Sequence, residues 1–168
     1  EIDREGQQGQ VTGPNFLDWR AQNTVFEHLS AIKTTYANLT LADQAERIDL
    51  AQTSADFFDV FGVTPELGRL FVTADEQAGH APVVVLSDAL WQRRYGGDRS
   101  LIGKTISLSS RGYTVIGVMP PDFGFYNTDV FTPLSPGTSG NKGFNLEVLG
   151  RLKPTVTPAQ ALAEMKVI

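Results

Sequence analysis

Residues 83–97 read VVVLSDALWQRRYGG, residues 102–108 read IGKTISL and residues 113–120 read YTVIGVMP. The apolar run 83–86 predicts a buried strand, because a short continuous apolar segment bounded by a turn signal is typical of one. Ser87 is a favoured N-cap residue, so a helix is expected over 88–95. The segments 105–109 and 113–119 predict a hairpin. The stretch therefore predicts a strand, a helix and a hairpin in succession.

Residues 97–105 come close to a phosphate-binding loop but miss its pattern. The motif G-x-x-x-x-G-K-[ST] requires glycine at position 98, where Asp98 stands, and Gly97 lies one residue too far from Gly103. A true loop also follows a strand and opens a helix, so that helix amides point at the anion. Here the helix precedes the loop and a strand follows it. The sequence therefore favours a tight helix-to-strand connection without an ATP site.

The composition is typical of a globular protein and excludes several classes of function. Of the 168 residues, 41% are hydrophobic and 20% charged, and the net charge is -5. Nucleic-acid binding relies on an excess of basic surface, so no nucleic-acid partner is predicted. No apolar run approaches the ~20 residues of a membrane-spanning helix. The chain has no cysteine, which excludes disulfide and thiolate chemistry.

Local signals predict the elements of the first third of the chain. A helix is expected to begin at Pro14, with a further helical turn over 25–29. Strands over 30–41 and 47–53 are expected to pair as a hairpin. Ser54 is then expected to cap a short helix that Gly62 ends, as glycine commonly does. This part of the sequence predicts a helix, a hairpin and a second helix.

Further signals place the remaining elements. Thr73 fits a capping box in which Glu76 reaches back to the cap. An edge strand is expected over 129–134, a mobile loop over 135–143 and a strand over 145–152. The last helix is expected to open with Thr157 as its cap, Pro158 at its first position and Gln160 completing a capping box.

Six motifs stand in order along nearly the whole chain. They are NFLDWRAQNTVF (15–26), SADFFDVFGV (54–63), LGRLF (67–71), VVLSDALW (84–91), VIGVMP (115–120) and GRLKPTVTPAQA (150–161). In this order and spacing they resemble the periplasmic core domain of MacB-type ABC transporter permeases of the MacB/FtsX group, above all the duplicated orphan permeases. One departure is Thr155, which stands where the family often has glycine and affects only a turn.

The resemblance and the order of elements predict a particular α/β (α+β) architecture. Residues 1–62 together with 138–168 are expected to form a porter-like subdomain of βαβ-type units. Residues 63–137 are expected to form a second, strand-rich (sabre-like) subdomain inserted into the first. Both ends look like cuts, since Glu1 is not a natural start and Ile168 falls within an expected helix. We therefore expect an excised domain.

The resemblance also implies a function. The domain would lie on the periplasmic side of the bacterial inner membrane, as part of an integral membrane protein, with no catalytic, cofactor or metal site. It would pass ATP-driven motion to cargo or to a partner protein. The implied partners are the transmembrane helices of its own permease, a second permease copy or pseudo-copy, a cytoplasmic ATPase and a periplasmic adaptor.

Two alternatives remain open at this point. One is an extracytoplasmic ligand-binding module for peptide, lipid or sugar, which needs a deep apolar cleft lined by Trp19, Trp91 or the phenylalanines around Phe57. The default for all of these aromatic residues is packing in the core. The weaker alternative is a small hydrolase, which needs His28 or His80 within hydrogen-bond reach of a serine in a pocket. Both histidines are instead expected on the solvated surface, His28 near a helix end.

Overall fold

The computed structural model describes residues 11–137 and 145–168. The helices are α1 Gly13–Gln22, α2 Phe57–Phe61, α3 Asp88–Tyr95 and α4 Pro158–Met165. The strands are β1 Phe26–Leu41, β2 Gln44–Thr53, β3 Leu67–Gly68, β4 Val83–Leu86, β5 Thr105–Leu108, β6 Arg111–Val118, β7 Val130–Pro133 and β8 Glu147–Leu152. Two short 3₁₀ turns lie at Thr73–Glu76 and Arg99–Leu101. The predicted α/β class is confirmed.

Six of the strands pair in a closed ring, which makes a small barrel. Around it, β1 pairs with β2, β2 with β7, β7 with β4, β4 with β6 and β6 with β5. The ring closes where β5 returns to β1 at Leu39 and Thr40. Closing a sheet on itself removes its open edges. The inward side chains form one buried cluster with α3: Leu39, Ile48, Leu50, Val84, Leu86, Leu90, Trp91, Ile106, Leu108, Val115 and Val130.

Strand β1 is 16 residues long and belongs to two regions. From Ile32 onward it pairs with β2 inside the barrel, whereas Phe26–Ile32 pairs with β8 outside it. The helical turn predicted over 25–29 is therefore wrong. Pairing with β8, more than 100 residues away in the sequence, decides the conformation of this segment. His28, predicted near a helix end, lies in this strand instead.

Both predicted hairpins are present, with tighter turns than expected. Ala42 and Asp43 have φ values of 49° and 63°, and Ser109 and Ser110 have φ values of 50° and 67°. Positive φ at both central residues is the mark of a two-residue type I′ turn, whose twist matches that of the flanking strands. The paired strands consequently extend to Gln44 and Arg111.

Three local predictions are corrected by long-range contacts. Strand β7 is not an edge strand, because it lies between β2 and β4. Pro133 has no N–H to donate, and it lies beyond the residues of β7 that pair with β4, which are Val130 and Phe131. The Ser54 hydroxyl does not cap α2. It accepts a hydrogen bond from the Ala31 N–H at 3.0 Å and donates to the Ser30 hydroxyl at 3.0 Å.

The third correction concerns the 3₁₀ turn. Asp75, not Glu76, reaches back and accepts a hydrogen bond from the Val72 N–H at 2.9 Å. Among the other predicted caps, Ser87 accepts from the Leu90 N–H at 3.2 Å. The Thr157 capping box forms as predicted, and Gly62 ends α2 in the left-handed conformation.

The division into two interleaved subdomains stays a prediction. Its second boundary, between 137 and 138, lies at the edge of the described residues, and most of the predicted mobile loop 135–143 lies outside them. Across the first boundary, β2 pairs with β7 and β1 with β5, so hydrogen-bonded strands join the two predicted units. Within the described residues, no helix is both long and apolar enough to cross a membrane.

Candidate functional site

An apolar cleft lies between α1, α4 and the outer face of the β1–β8 pair. It measures about 290 Å³, and its walls include Trp19, Phe26, Leu29, Val148, Leu162 and Met165. Gly150 is required at its floor, since a Cβ there would lie only 2.5 Å from a ring carbon of Phe26. Trp19, predicted to anchor the core, packs on a cluster around Phe16 and also forms part of this cleft.

The same end of the molecule carries a polar link between its two terminal helical segments. The Glu164 carboxylate on α4 accepts hydrogen bonds from the Thr24 N–H and, at 2.7 Å, from the Thr24 hydroxyl just after α1. The ammonium group of Lys153, which follows β8, donates to the Thr24 carbonyl oxygen. A backbone bridge between Val11 and Leu146 adds a further connection. These contacts tie α1, β8 and α4 into one joint.

The phenylalanines of α2 belong mainly to the core, as predicted. Phe57 and Phe58 are fully buried, and their ring centroids lie 5.1 Å apart in an edge-to-face arrangement. Phe125 packs 5.0 Å from Phe57 in the same manner. Phe61 differs, because 41% of it is exposed at the rim of this cluster.

The sequence around the near-miss to a phosphate loop has a structural role. Buried Trp91 donates its indole N–H to the Asp98 carbonyl oxygen at 3.0 Å. The Asp98 carboxylate accepts a hydrogen bond from the Ser100 N–H at 2.8 Å. Lys104 donates to the Ser100 hydroxyl at 2.9 Å. Residues 97–105 therefore form the predicted helix-to-strand connection.

A buried carboxylate, Glu76, joins three separate segments. It forms an ion pair with Arg20 of α1 at 3.0 Å and accepts a hydrogen bond from the Ala55 N–H just before α2. The Ser135 hydroxyl donates to the backbone carbonyl of Glu76. The side chain of Glu76 is only 6% exposed, and Arg20 and the Ala55 N–H compensate for the burial of its carboxylate.

The neighbouring carboxylate, Asp75, is equally well engaged. Arg69 donates to it at 2.8 Å, and the Val72 N–H donates at 2.9 Å. Burial alone would raise the pKa of Asp75, but these hydrogen bonds and the charge of Arg69 lower it below its usual value. Asp75 is therefore ionised at neutral pH and its position is structural.

His80 and Ser135 line the same depression of about 440 Å³, which is where a hydrolase site built on His80 would have to lie. The His80 Nδ1 atom, however, contacts the Ala81 carbonyl oxygen at 3.1 Å and the Asp75 carboxylate at 3.6 Å. In the described part of the chain, neither histidine forms a hydrogen bond with a serine. The arrangement required for nucleophilic catalysis is not assembled at either of them.

One cluster was not foreseen from the sequence. His28 of β1 meets Asp56, just before α2, and Asp59 in the first turn of α2, with one ligating atom from each within 4.8 Å of the others. Burial raises the pKa of Asp56, which the charges of Glu76 and Asp59 reinforce and those of Arg20 and His28 oppose. The only local signal was the D-x-x-D spacing, because the histidine comes from a distant strand.

The sequence as a whole matches the model of a family, MacB-like periplasmic core domain, over residues 4–168. The chain belongs to this family. It is therefore a periplasmic domain of the MacB/FtsX-like ABC transporter permeases, and the motif-based expectation of family and location is confirmed.

Related sequences include the macrolide export ATP-binding/permease protein MacB of Neisseria gonorrhoeae and of Neisseria meningitidis. Each is 37% identical to this chain over 106 residues, which is 62% of the chain. The chain spans 15% of the length of these curated relatives. They are thus much longer proteins, of which this domain corresponds to one part.

Solved structures share the fold at low sequence identity. The periplasmic region of MacB from Actinobacillus actinomycetemcomitans aligns with a TM-score of 0.75 at 17% identity, covering 96% of this chain and 74% of that chain. The extracellular domain of the noncanonic ABC-type transporter YknZ from Gram-positive bacteria aligns with a TM-score of 0.69 at 16% identity, covering 94% and 79%. A domain of a putative permease protein from Porphyromonas gingivalis aligns with a TM-score of 0.68 at 22% identity, covering 95% of this chain and 71% of that chain.

Proposed function

We propose that this domain is a non-catalytic mechanical relay, which receives motion generated by ATP hydrolysis at the transmembrane helices of its permease and passes it to cargo or to a partner protein. The observation that supports this proposal is the continuity of β1. At about 3.3 Å per residue, its 16 residues span roughly 50 Å. One end of this strand lies in the joint with β8, and the other end lies in the barrel.

Both ends of β1 are held in a way that suits force transmission. At the joint, the contacts of Thr24 with Glu164 and Lys153 tie α4 and β8 to the segment that leads into β1. In the barrel, β1 pairs with both β2 and β5. Displacement of the joint would therefore move the barrel as one body.

The relay is tested in the full-length permease, with ATP hydrolysis and export measured separately. Macrolides, named as the export substrate of the neisserial relatives, are the first cargo to try. The double change Thr24→Val with Glu164→Gln loosens the joint without touching the barrel core. We expect export to fall several-fold while ATP hydrolysis persists. Unchanged export, or ATP hydrolysis by the isolated domain, would contradict the relay.

A second candidate function is favoured by the cleft lined by Trp19. A site of this apolar character suits a lipid or another apolar ligand at the periplasmic face. Saturable stabilisation against thermal unfolding by such a ligand, lost in Trp19→Leu, would support it. Trp91→Phe is the matched control, because Trp91 is buried in the barrel cluster away from the cleft. Binding that is unaffected by Trp19→Leu excludes the cleft.

A further inference from the structure

The cluster of His28, Asp56 and Asp59 brings three metal-ligating groups from two elements to one point of the surface. The β1–β8 pairing fixes His28, whose partner across the pair is Arg151. Buried Phe57 and Phe58 fix the orientation of α2. Residues three apart on a helical turn lie on the same side, so Asp56 and Asp59 both project away from these phenylalanines, toward His28. The fold itself therefore places the three groups together.

The side chains of the cluster are free to bind an ion. Across residues 11–137 and 145–168, no hydrogen bond and no ion pair engages the side chains of His28, Asp56 or Asp59. The nearby cations are committed elsewhere. Arg20 pairs with Glu76 at 3.0 Å, and Arg151 donates to the Val60 carbonyl oxygen at 2.9 Å. Arg20 and His28 act on Asp56 only through space, so the two carboxylates face each other without a direct ion pair, a condition that a divalent ion relieves.

We propose that His28, Asp56 and Asp59 form a Zn²⁺ site. One imidazole nitrogen and two carboxylate oxygens are a donor set that zinc accepts, with a fourth position left to water. Ligating atoms now within 4.8 Å must draw together by about 1.5 Å to reach zinc–ligand distances of about 2.0–2.2 Å. The exposed side chain of Asp59 is free to rotate for this movement. The imidazole disfavours Mg²⁺ and Ca²⁺, which prefer oxygen ligands alone.

Bound zinc would tie β1 to the start of α2. That contact lies beside the joint between β1 and β8, because His28 is in the paired segment. A ligand that binds the folded state alone stabilises it in proportion to its occupancy. Zinc would therefore raise the midpoint of thermal unfolding and stiffen this end of the molecule.

The test is a calorimetric titration of the untagged 168-residue chain with ZnCl₂ in a chelator-free buffer, with thermal unfolding as a second readout. We expect one saturable zinc ion per chain. Loss of a residue that merely hydrogen-bonds a metal ligand already weakens metal affinity by about 10–100-fold. His28→Ala and Asp59→Asn should therefore each weaken zinc binding at least about tenfold. Asp59→Asn guards against misfolding, since Asp59 is exposed.

His80→Ala is the matched control, because His80 also lies beside a carboxylate, at 3.6 Å from Asp75. That carboxylate is already engaged by Arg69 and the Val72 N–H, so zinc binding should be unchanged. The proposal is overturned if the wild-type chain shows no saturable binding. It is also overturned if His28→Ala binds like the wild type, or if His80→Ala is the variant that loses zinc.

Discussion

Asp75 and Glu76 are buried and fully engaged, whereas Asp56 and Asp59, on the neighbouring turn of α2, have no side-chain partner among the described residues. Arginines and backbone N–H groups hold the first pair in place. The second pair faces His28, and the charge of Arg20 reaches Asp56 without a direct ion pair. Because Glu76 also binds the Ala55 N–H, the two pairs meet at adjacent residues. Carboxylates thus hold neighbouring segments together in the first pair and stay available to a ligand in the second.

This contrast indicates different roles for the two acidic pairs. A carboxylate with an arginine and a backbone donor contributes to stability, because its burial is compensated. A pair of like charges without partners contributes nothing to stability or opposes it. We therefore expect substitutions in the two pairs to act in opposite directions on the free energy of unfolding.

The largest effect is expected for Glu76→Ala. This change leaves the Arg20 charge and the buried Ala55 N–H without their partner, and breaking a buried pair in this way costs about 3 kcal/mol. The measurement is urea unfolding at neutral pH. Glu66→Ala is the control, since Glu66 is exposed and should change stability by less than about 0.5 kcal/mol. A loss of stability below about 1 kcal/mol for Glu76→Ala would mean that the contacts of Glu76 with Arg20 and Ala55 do not stabilise the fold.

The next effect is that of Asp75→Asn, and it depends on pH. The pKa of Asp75 is lowered in the folded state from its usual value of 3.8. Its contribution to stability is therefore complete above that value and is lost as the pH falls through the lower folded-state pKa. At neutral pH we expect Asp75→Asn to cost about 2 kcal/mol, the worth of hydrogen bonds to a charged group.

The control for this second prediction is the pH profile itself. The difference in stability between wild type and Asp75→Asn should be constant from neutral pH down to about pH 4 and should shrink below it. A difference that is the same at pH 2 and pH 7 would show that the charge of Asp75 is irrelevant. Unfolding by urea at a series of pH values provides the measurement.

Much of the fold was predictable because its signals are local. The alternation of Ile48 and Leu50, the apolar run of β4 and the Thr157 capping box each specify their own element. The errors arise where strands that are distant in the sequence determine the conformation of a segment. Residues 26–29 become part of a strand because β8 pairs with them, and β7 becomes an interior strand because β2 and β4 flank it.

The acidic pairs show the same limit for function. The sequence correctly indicated a capping interaction in the 3₁₀ turn but assigned it to Glu76, because nothing local reveals that Arg20 and Ala55 compete for this side chain. Likewise His28 and Asp56 are 28 residues apart, and only the β1–β8 pairing and the burial of α2 bring them together. Contacts of this kind carry no periodic signal in the sequence.

The smallest effect, and the one of opposite sign, is expected for Asp56→Asn in the presence of a chelator. Because the pKa of Asp56 is raised in the folded state, its ionised form opposes folding at neutral pH. Removing the charge should stabilise the protein by about 0.5 kcal/mol once solvent screening is allowed for. Asparagine is as good a residue as aspartate at a helix N-cap, so the cap position itself is not disturbed.

The control for this last prediction is Asp59→Asn, which removes the partner charge from an exposed position and should stabilise less. Thermal unfolding with and without added zinc separates the two contributions. With chelator present, both variants should match or exceed the wild type, whereas with zinc present both should fall below it. If Asp56→Asn destabilises the protein in the presence of chelator, the Asp56 carboxylate stabilises the fold as Asp75 and Glu76 do. The contrast between the two pairs then fails.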